Sequence, residues 1–214
     1  MTEHGAGGDD QAVDGYLEAL ASRAPVPGGG SAAALVGAVA AALVAMVGRV
    51  TLGRPSLATT DDAVARMITE ADEARATLRR AMDEDEAAFS RVIASYRLPR
   101  ATEDEKRARR MAITIAAQEA TVPPLVVART SRRILDLALV AAAHGNPTVV
   151  SDAAVAAWAG AAAIRASAVN VRVNLGAVRD EAFAAAAEAE LGQLVAESER
   201  IAVTIESAAM ARVR

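Results

Sequence analysis

The sequence predicts an all-α fold, a multi-helix bundle of about six to seven helices, and three observations lead there. Apolar residues recur every three or four positions over long stretches. Hydrophobic residues make up 53% of the chain but aromatics only 2%, so the core must be built from alanine, valine and leucine, which let helices approach closely. No stretch alternates with the period of two that a strand requires.

The elements follow in order. Met1 to Gly8 is glycine-rich and polar and reads as a disordered tail, leaving 10–214 as a single helical domain after a tail at 1–9. A short amphipathic helix from about Asp10 to Ser22 carries Tyr16, Leu17 and Leu20 on one face. Pro25, Pro27 and Gly28 to Gly30 break it, and Ser31 has the chemistry of an N-cap for a helix ending near Gly53 and Pro55. Thr60 or Asp61 opens a long helix through Val64, Met67, Ile68, Ala71, Leu78, Met82, Phe89 and Ile93, which Leu98 and Pro99 end. Thr102 and Glu105 have capping-box spacing, and the helix they open is expected to stop before Pro123 and Pro124. A further helix runs from Leu125 to His144, ended by Gly145, Asn146 and Pro147. Ser151 or Asp152 caps the next, through Trp158 to about Leu175, and Asp180 begins the last, towards Met210.

Composition narrows the function. A net charge of -4 gives no general attraction to nucleic acid or anionic lipid. Cysteine is absent, which removes disulfides and thiolate metal sites. The N-terminus lacks a basic stretch and an apolar h-region, so the cytoplasm is the expected location. The uncharged run Ala32 to Gly48 barely reaches spanning length and is mostly alanine and glycine, and it reads as a buried helix of a soluble protein, with no membrane partner. Only His4 and His144 offer imidazole, so no metal site is expected, and the single lysine, Lys106, sits in a charged run typical of a solvated face.

Three places could carry chemistry. In "PGGGS", Gly28, Gly29, Gly30 and Ser31 offer backbone N–H groups at a helix start, either as an anion-binding cup or merely as a tight turn and cap; the lysine of a nucleotide P-loop is missing. Asp83, Glu84, Asp85 and Glu86 lie on one helix, where most must face solvent. If Asp85 shares a side with Phe89, four residues on, it becomes a carboxylate beside apolar surface, with a raised pKa suited to general acid work. Asn146 and Asp152 flank the entry to one helix, and Asn170 and Asn174 share a face near its end. Asparagine inside an apolar helix suggests either a hydrogen-bonding task or interhelical structure.

The order of motifs resembles the cyclodeaminase and cyclohydrolase family of tetrahydrofolate enzymes, which includes the C-terminal half of formiminotransferase-cyclodeaminase. The resemblance runs from about Tyr16 to Phe183. It rests on "PGGGSAAA" from Pro27, "MVGRVTLGR" from Met46, "DEDEAAF" from Asp83 and "LPRATEDEKRARR" from Leu98. It continues through "VPPLVVA" from Val122, "GNPTVVSD" from Gly145 and "NVRVNLGAVRDEAF" from Asn170.

The resemblance implies a helical bundle that forms a homodimer and binds a tetrahydrofolate derivative as substrate, with no tightly bound cofactor. It implies closure of 5-formiminotetrahydrofolate to 5,10-methenyltetrahydrofolate with loss of ammonia, or alternatively hydrolysis of methenyl- to 10-formyltetrahydrofolate. Asp85 matches the family's proton donor, and Gly28 to Ser31, Arg54, Asn146, Asp152, Asn170 and Asn174 match its folate-binding motifs. No formiminotransferase half is expected beside this bundle, so a separate formiminotransferase becomes a possible partner. Pro55 and Leu57 stand where the family carries basic and aromatic residues, and Arg172 where it is apolar. Those departures keep a third reading open, a non-catalytic folate-binding or structural helical dimer.

Overall fold

The computed structural model describes residues 9–213. Residues 1–8 of the expected tail, with His4, lie outside the described residues, whereas Asp9, placed in that tail, opens the first helix. Among these residues the chain is all-α: α1 (Asp9–Ala21), α2 (Gly29–Thr51), a 3-10 segment (Pro55–Thr60), α3 (Asp61–Tyr96), α4 (Glu103–His144), α5 (Ser151–Leu175) and α6 (Glu181–Met210).

Alpha-2 is the axis of the bundle, packed by α3, α4 and α5, while α6 covers α4 and α5. Its interior face is made of Ala33, Ala34, Gly37, Ala40, Ala41, Val44, Ala45 and Val47, all buried. Small residues set the spacing: a Cβ on Gly37 would stand 2.9 Å from Ser131 Oγ and 3.2 Å from Leu78 Cδ1. The main core joins these residues to Leu78, Ile134, Leu135, Ile164 and Ile205, and a smaller cluster, Leu125, Ala128, Ala168, Val171, Ala187 and Leu191, holds the C-terminal end of α5. Alpha-1 is an outlying arm, with Val13 and Leu17 exposed.

By length and composition α2, α4 and α5 could each cross a membrane, yet half or more of each such stretch is buried inside the bundle. Their apolar character is therefore used in helix packing.

Three local expectations are corrected. Helix α4 does not stop at Pro123 and Pro124 but runs through both as one helix. Pro124 has no N–H for the carbonyl of Ala120, and Asn174 Nδ2 donates to that carbonyl at 2.7 Å, replacing the lost bond from another helix. Ser31 is not an N-cap: α2 starts at Gly29 after Gly28, and Ser31 lies fully buried in the first turn. Neither Ser151 nor Asp152 caps α5, which grows out of the preceding turn with Asp152 N bonded to Val149 O and Ala153 N to Val150 O. The capping box of Thr102 and Glu105 and the cap by Asp180 are present as expected.

Candidate active site

The glycine turn, the acidic stretch of α3 and the end of α5 converge on one cavity of about 140 Å³. Its wall includes Gly28, Gly29, Gly30, Asp85, Phe89, Ala120, Val173, Asn170 and Asn174. Helix geometry explains the convergence: α3 and α5 both present one face to the start of α2, and residues four apart, Asp85 with Phe89 and Asn170 with Asn174, point the same way.

Asp85 sits against the first turn of α2, occupying the space a Cβ on Gly30 would fill. Burial pushes its carboxyl above the ordinary value, the Ser31 backbone N–H opposes that shift, and the charge of Glu86 adds to it. The net direction is upward, so the group holds its proton to higher pH than a free aspartate. The N–H groups of a helix start are intrinsically attractive to negative charge, which explains how a partly buried carboxylate is tolerated here.

The neighbouring residues are held by hydrogen bonds. The Tyr16 hydroxyl lies 3.1 Å from Ser31 Oγ, and that hydroxyl donates to Glu86 Oε1 at 3.1 Å, tying α1, α2 and α3 together beside Asp85. Asn170 Nδ2 donates to the Ala166 carbonyl at 3.0 Å, and Asn174 Nδ2 is committed to Ala120. With their N–H₂ groups engaged, both asparagines retain amide oxygens able to accept from the N–H groups of a ligand. Phe89, 42% exposed, offers apolar surface beside the acid.

The remaining sequence candidates lie elsewhere. Arg54 is at the opposite end of α2, its Nε donating to the Val50 carbonyl at 2.9 Å. Asn146 is buried in the turn before α5, where its N–H donates to Thr51 Oγ1 at 2.8 Å and its Oδ1 accepts from Thr148 N at 3.1 Å. Asp152 opens α5, about 27 Å along the helix from Asn170 at 1.5 Å per residue. One chain thus does not bring Arg54, Asn146 and Asp152 to the cavity of Asp85, and the Ser31 side chain is spent on Tyr16 and Glu86. His144 ends α4 at that same far end.

Arg172 makes a two-pronged ion pair with Glu188 of α6, Nε to Oε1 at 2.9 Å and a second nitrogen to the same oxygen at 2.7 Å. It braces α5 against α6. Pro55 and Leu57 form the 3-10 segment beyond the far end of α2. None of the three departures lines the cavity.

Sequence reasoning missed the Tyr16–Ser31–Glu86 chain and the bond from Asn174 to Ala120. A signal for the second existed: two prolines inside an otherwise helical pattern call for an outside donor, and an asparagine in an apolar helix is a donor in need of an acceptor.

The formiminotransferase-cyclodeaminase family model matches residues 12–193. A methenyltetrahydrofolate cyclohydrolase from Methylorubrum extorquens is 39% identical over 202 residues, covering 92% of this chain and 97% of that protein. The formimidoyltransferase-cyclodeaminase of Mus musculus is 32% identical over 197 residues, again 92% of this chain but only 36% of the longer relative. Among solved structures, a formiminotetrahydrofolate cyclodeaminase from Thermotoga maritima superposes with a TM-score of 0.76 at 26% identity, covering 94% of each chain.

Proposed function

This chain belongs to the formiminotransferase-cyclodeaminase family, and we propose that it is a tetrahydrofolate one-carbon enzyme that hydrolyses 5,10-methenyltetrahydrofolate to 10-formyltetrahydrofolate. The observation that carries this reading is the 39% identity to a cyclohydrolase along 97% of that protein's length. The sequence alone put deamination first; the extent of this match shifts the balance to hydrolysis.

The cavity suits the chemistry. Water adds to the carbon that bridges N5 and N10, giving a tetrahedral adduct, and the bond from that carbon to N5 then breaks. A ring nitrogen leaves far better once protonated, and Asp85, with its pKa raised by burial, supplies that proton. The carboxylate left behind recovers one proton of the attacking water and the other is released to solvent as the positive charge of the methenyl group is lost, so the group is ready again. Asn170 and Asn174 accept from the N–H groups of the reduced pterin, and the helix start at Gly29 and Gly30 stabilises negative charge while Asp85 is ionised.

Deamination of 5-formiminotetrahydrofolate is the second reading, favoured by the likeness to the Thermotoga cyclodeaminase across 94% of both chains. There N10 attacks the formimino carbon, its proton passes to the imino nitrogen, and the same acid protonates the resulting amino group, which leaves as ammonia. In that case a separate formiminotransferase supplies the substrate. The non-catalytic reading loses its support, since Pro55, Leu57 and Arg172 lie away from Asp85.

The protein is further proposed to act as a cytoplasmic homodimer. The open face of α2 supports the dimer: Val36 and Val39 are 38% and 49% exposed on a helix without a charge before Arg49. Assaying wild-type protein with each folate separately, by its methenyl chromophore, tests the reaction. Decay of the chromophore from methenyltetrahydrofolate supports hydrolysis, and its appearance from formiminotetrahydrofolate with ammonia release supports deamination. Turnover of neither contradicts the enzymatic proposal.

A further inference from the structure

The mechanism above uses one of two adjacent acids. On α3, Asp83 and Glu84 are exposed, whereas Asp85 and Glu86 are both partly buried beside the start of α2. Two carboxylates side by side repel each other, so the second stays there only if something holds it. Ser31 does so. Fully buried, it donates its hydroxyl to Glu86 Oε1 at 3.1 Å while its backbone N–H donates to Asp85. One residue therefore touches both acids.

Donor counting gives the chain a direction. A carboxylate only accepts, so the single hydroxyl proton of Ser31 goes to Glu86, and the Tyr16 hydroxyl, 3.1 Å away, is the donor to Ser31 Oγ. The bonds run from Tyr16 to Ser31 to Glu86, each polarising the next. Tyr16 is the α1 side chain that packs on the main core, while Val13 and Leu17 on the same helix are exposed. Between Tyr16 and Ser31 lies the turn whose Pro25, Val26 and Gly28 line the Asp85 cavity, so the same bond closes that stretch of chain on the cavity.

The other charges nearby are engaged with each other. Arg79 and Asp83, earlier on α3, are paired at 2.7 Å on the Glu86 side. From α4, Ala120 lines the cavity, and its neighbour Glu119 is paired with Arg91 at 3.1 Å. From α5 come Asn170, Val173 and Asn174, none of them charged. Burial is the main influence that favours the protonated form of Asp85, the Ser31 N–H opposes it, and Glu86 is the charge that adds to burial.

We propose that Tyr16, Ser31 and Glu86 are positioning residues for Asp85, a hydrogen-bonded chain from α1 that fixes a second carboxylate beside the proton donor. This rests on the reading of Asp85 as the acid and deepens it, giving Glu86, and through it an outlying helix, a part in the proton transfer.

The test compares wild type with Tyr16→Phe, Glu86→Gln and the Tyr16→Phe/Glu86→Gln double variant, and with the exposed Glu84→Gln as a control. Heteronuclear NMR follows titration of the Asp85 carboxyl, its resonance assigned with Asp85→Asn. Kinetics gives the pH profiles of kcat and KM for 5,10-methenyltetrahydrofolate. Glu86→Gln keeps an acceptor for Ser31 but removes the charge. The Asp85 titration and the alkaline limb of kcat are therefore expected to move together to lower pH, with kcat at neutral pH down about threefold and KM little changed. Tyr16→Phe keeps the ring in the core but loosens the chain, and it moves both in the same direction by less. The double variant is expected to match Glu86→Gln, because Tyr16 acts through Glu86. Glu84→Gln leaves both where they were. Melting curves establish which variants fold, and Glu86→Gln, which conserves shape, decides the matter if Tyr16→Phe does not.

An unmoved Asp85 titration in Glu86→Gln, an equal shift in Glu84→Gln, or an additive double variant overturns the positioning chain, and wild-type turnover then leaves the enzymatic reading standing. A titration that moves as expected in a protein that turns over neither folate supports the chain and overturns the enzymatic reading. An unmoved titration without turnover overturns both.

Discussion

Asp85 fills the space that a side chain on Gly30 would need, so the acid and the first turn of α2 are fitted to one another at a single point. The first prediction tests that fit. Gly30→Ala forces the carboxylate aside and is expected to lower kcat more than tenfold, since a displaced acid no longer reaches the leaving nitrogen. Gly192→Ala on α6 meets nothing within 4 Å and is expected to keep full activity. Equal activity of the two variants would sink the placement of Asp85.

Ionisation of Asp85 links activity to stability. Its carboxyl is raised above the ordinary 3.8, so the folded state holds this proton more tightly than the unfolded chain does. Stability from this group is therefore fullest below 3.8 and declines as pH rises through the raised folded value. Above that window the charge sits partly buried, and Asp85→Asn relieves it. The variant is expected to melt higher than wild type at neutral pH, with the gain vanishing in acid. A lower melting temperature at pH 7 would show that the ionised form is instead well solvated.

Asn174 and Pro124 form a compensating pair. Asn174→Ala leaves the Ala120 carbonyl without a donor and is expected to cost about 1–2 kcal/mol in chemical denaturation. Adding Pro124→Ala restores a helical N–H for that carbonyl and should recover much of the loss. A strictly additive double variant would contradict this pairing.

The open face of α2 gives a fourth expectation. Wild type should sediment at twice the chain mass of 21.9 kDa, and Val39→Asp should shift it to a single chain by placing charge on that face. Ala38, half-buried at the border of the same face, is predicted to resist enlargement: Ala38→Leu lowers melting or disrupts assembly by overpacking. A wild-type monomer would remove the dimer from the account.

Much of this was legible beforehand because the relevant signals are local. The Thr102 capping box, the Asp180 cap and the spacing of Asp85 and Phe89 depend on residues within one helical turn. Alpha-4 was misread because its prolines are rescued by Asn174, a residue 54 positions from Ala120 whose relevance exists only once α5 packs on α4. The polar residues from His144 to Asn174 looked like one constellation because they are close in sequence. A helix of 25 residues keeps its two ends apart, so Asn146 and Asp152 belong to one end of the bundle and Asn170 and Asn174 to the other.

The most direct test of the central claim is the rate of 5,10-methenyltetrahydrofolate hydrolysis by wild type and by Asp85→Asn, with the buffer-catalysed rate subtracted. The account predicts turnover by wild type and a fall of about a hundredfold or more in kcat for a variant that remains folded. Turnover by Asp85→Asn equal to that of wild type would contradict it, because the acid would then lie somewhere other than the Gly30 cavity.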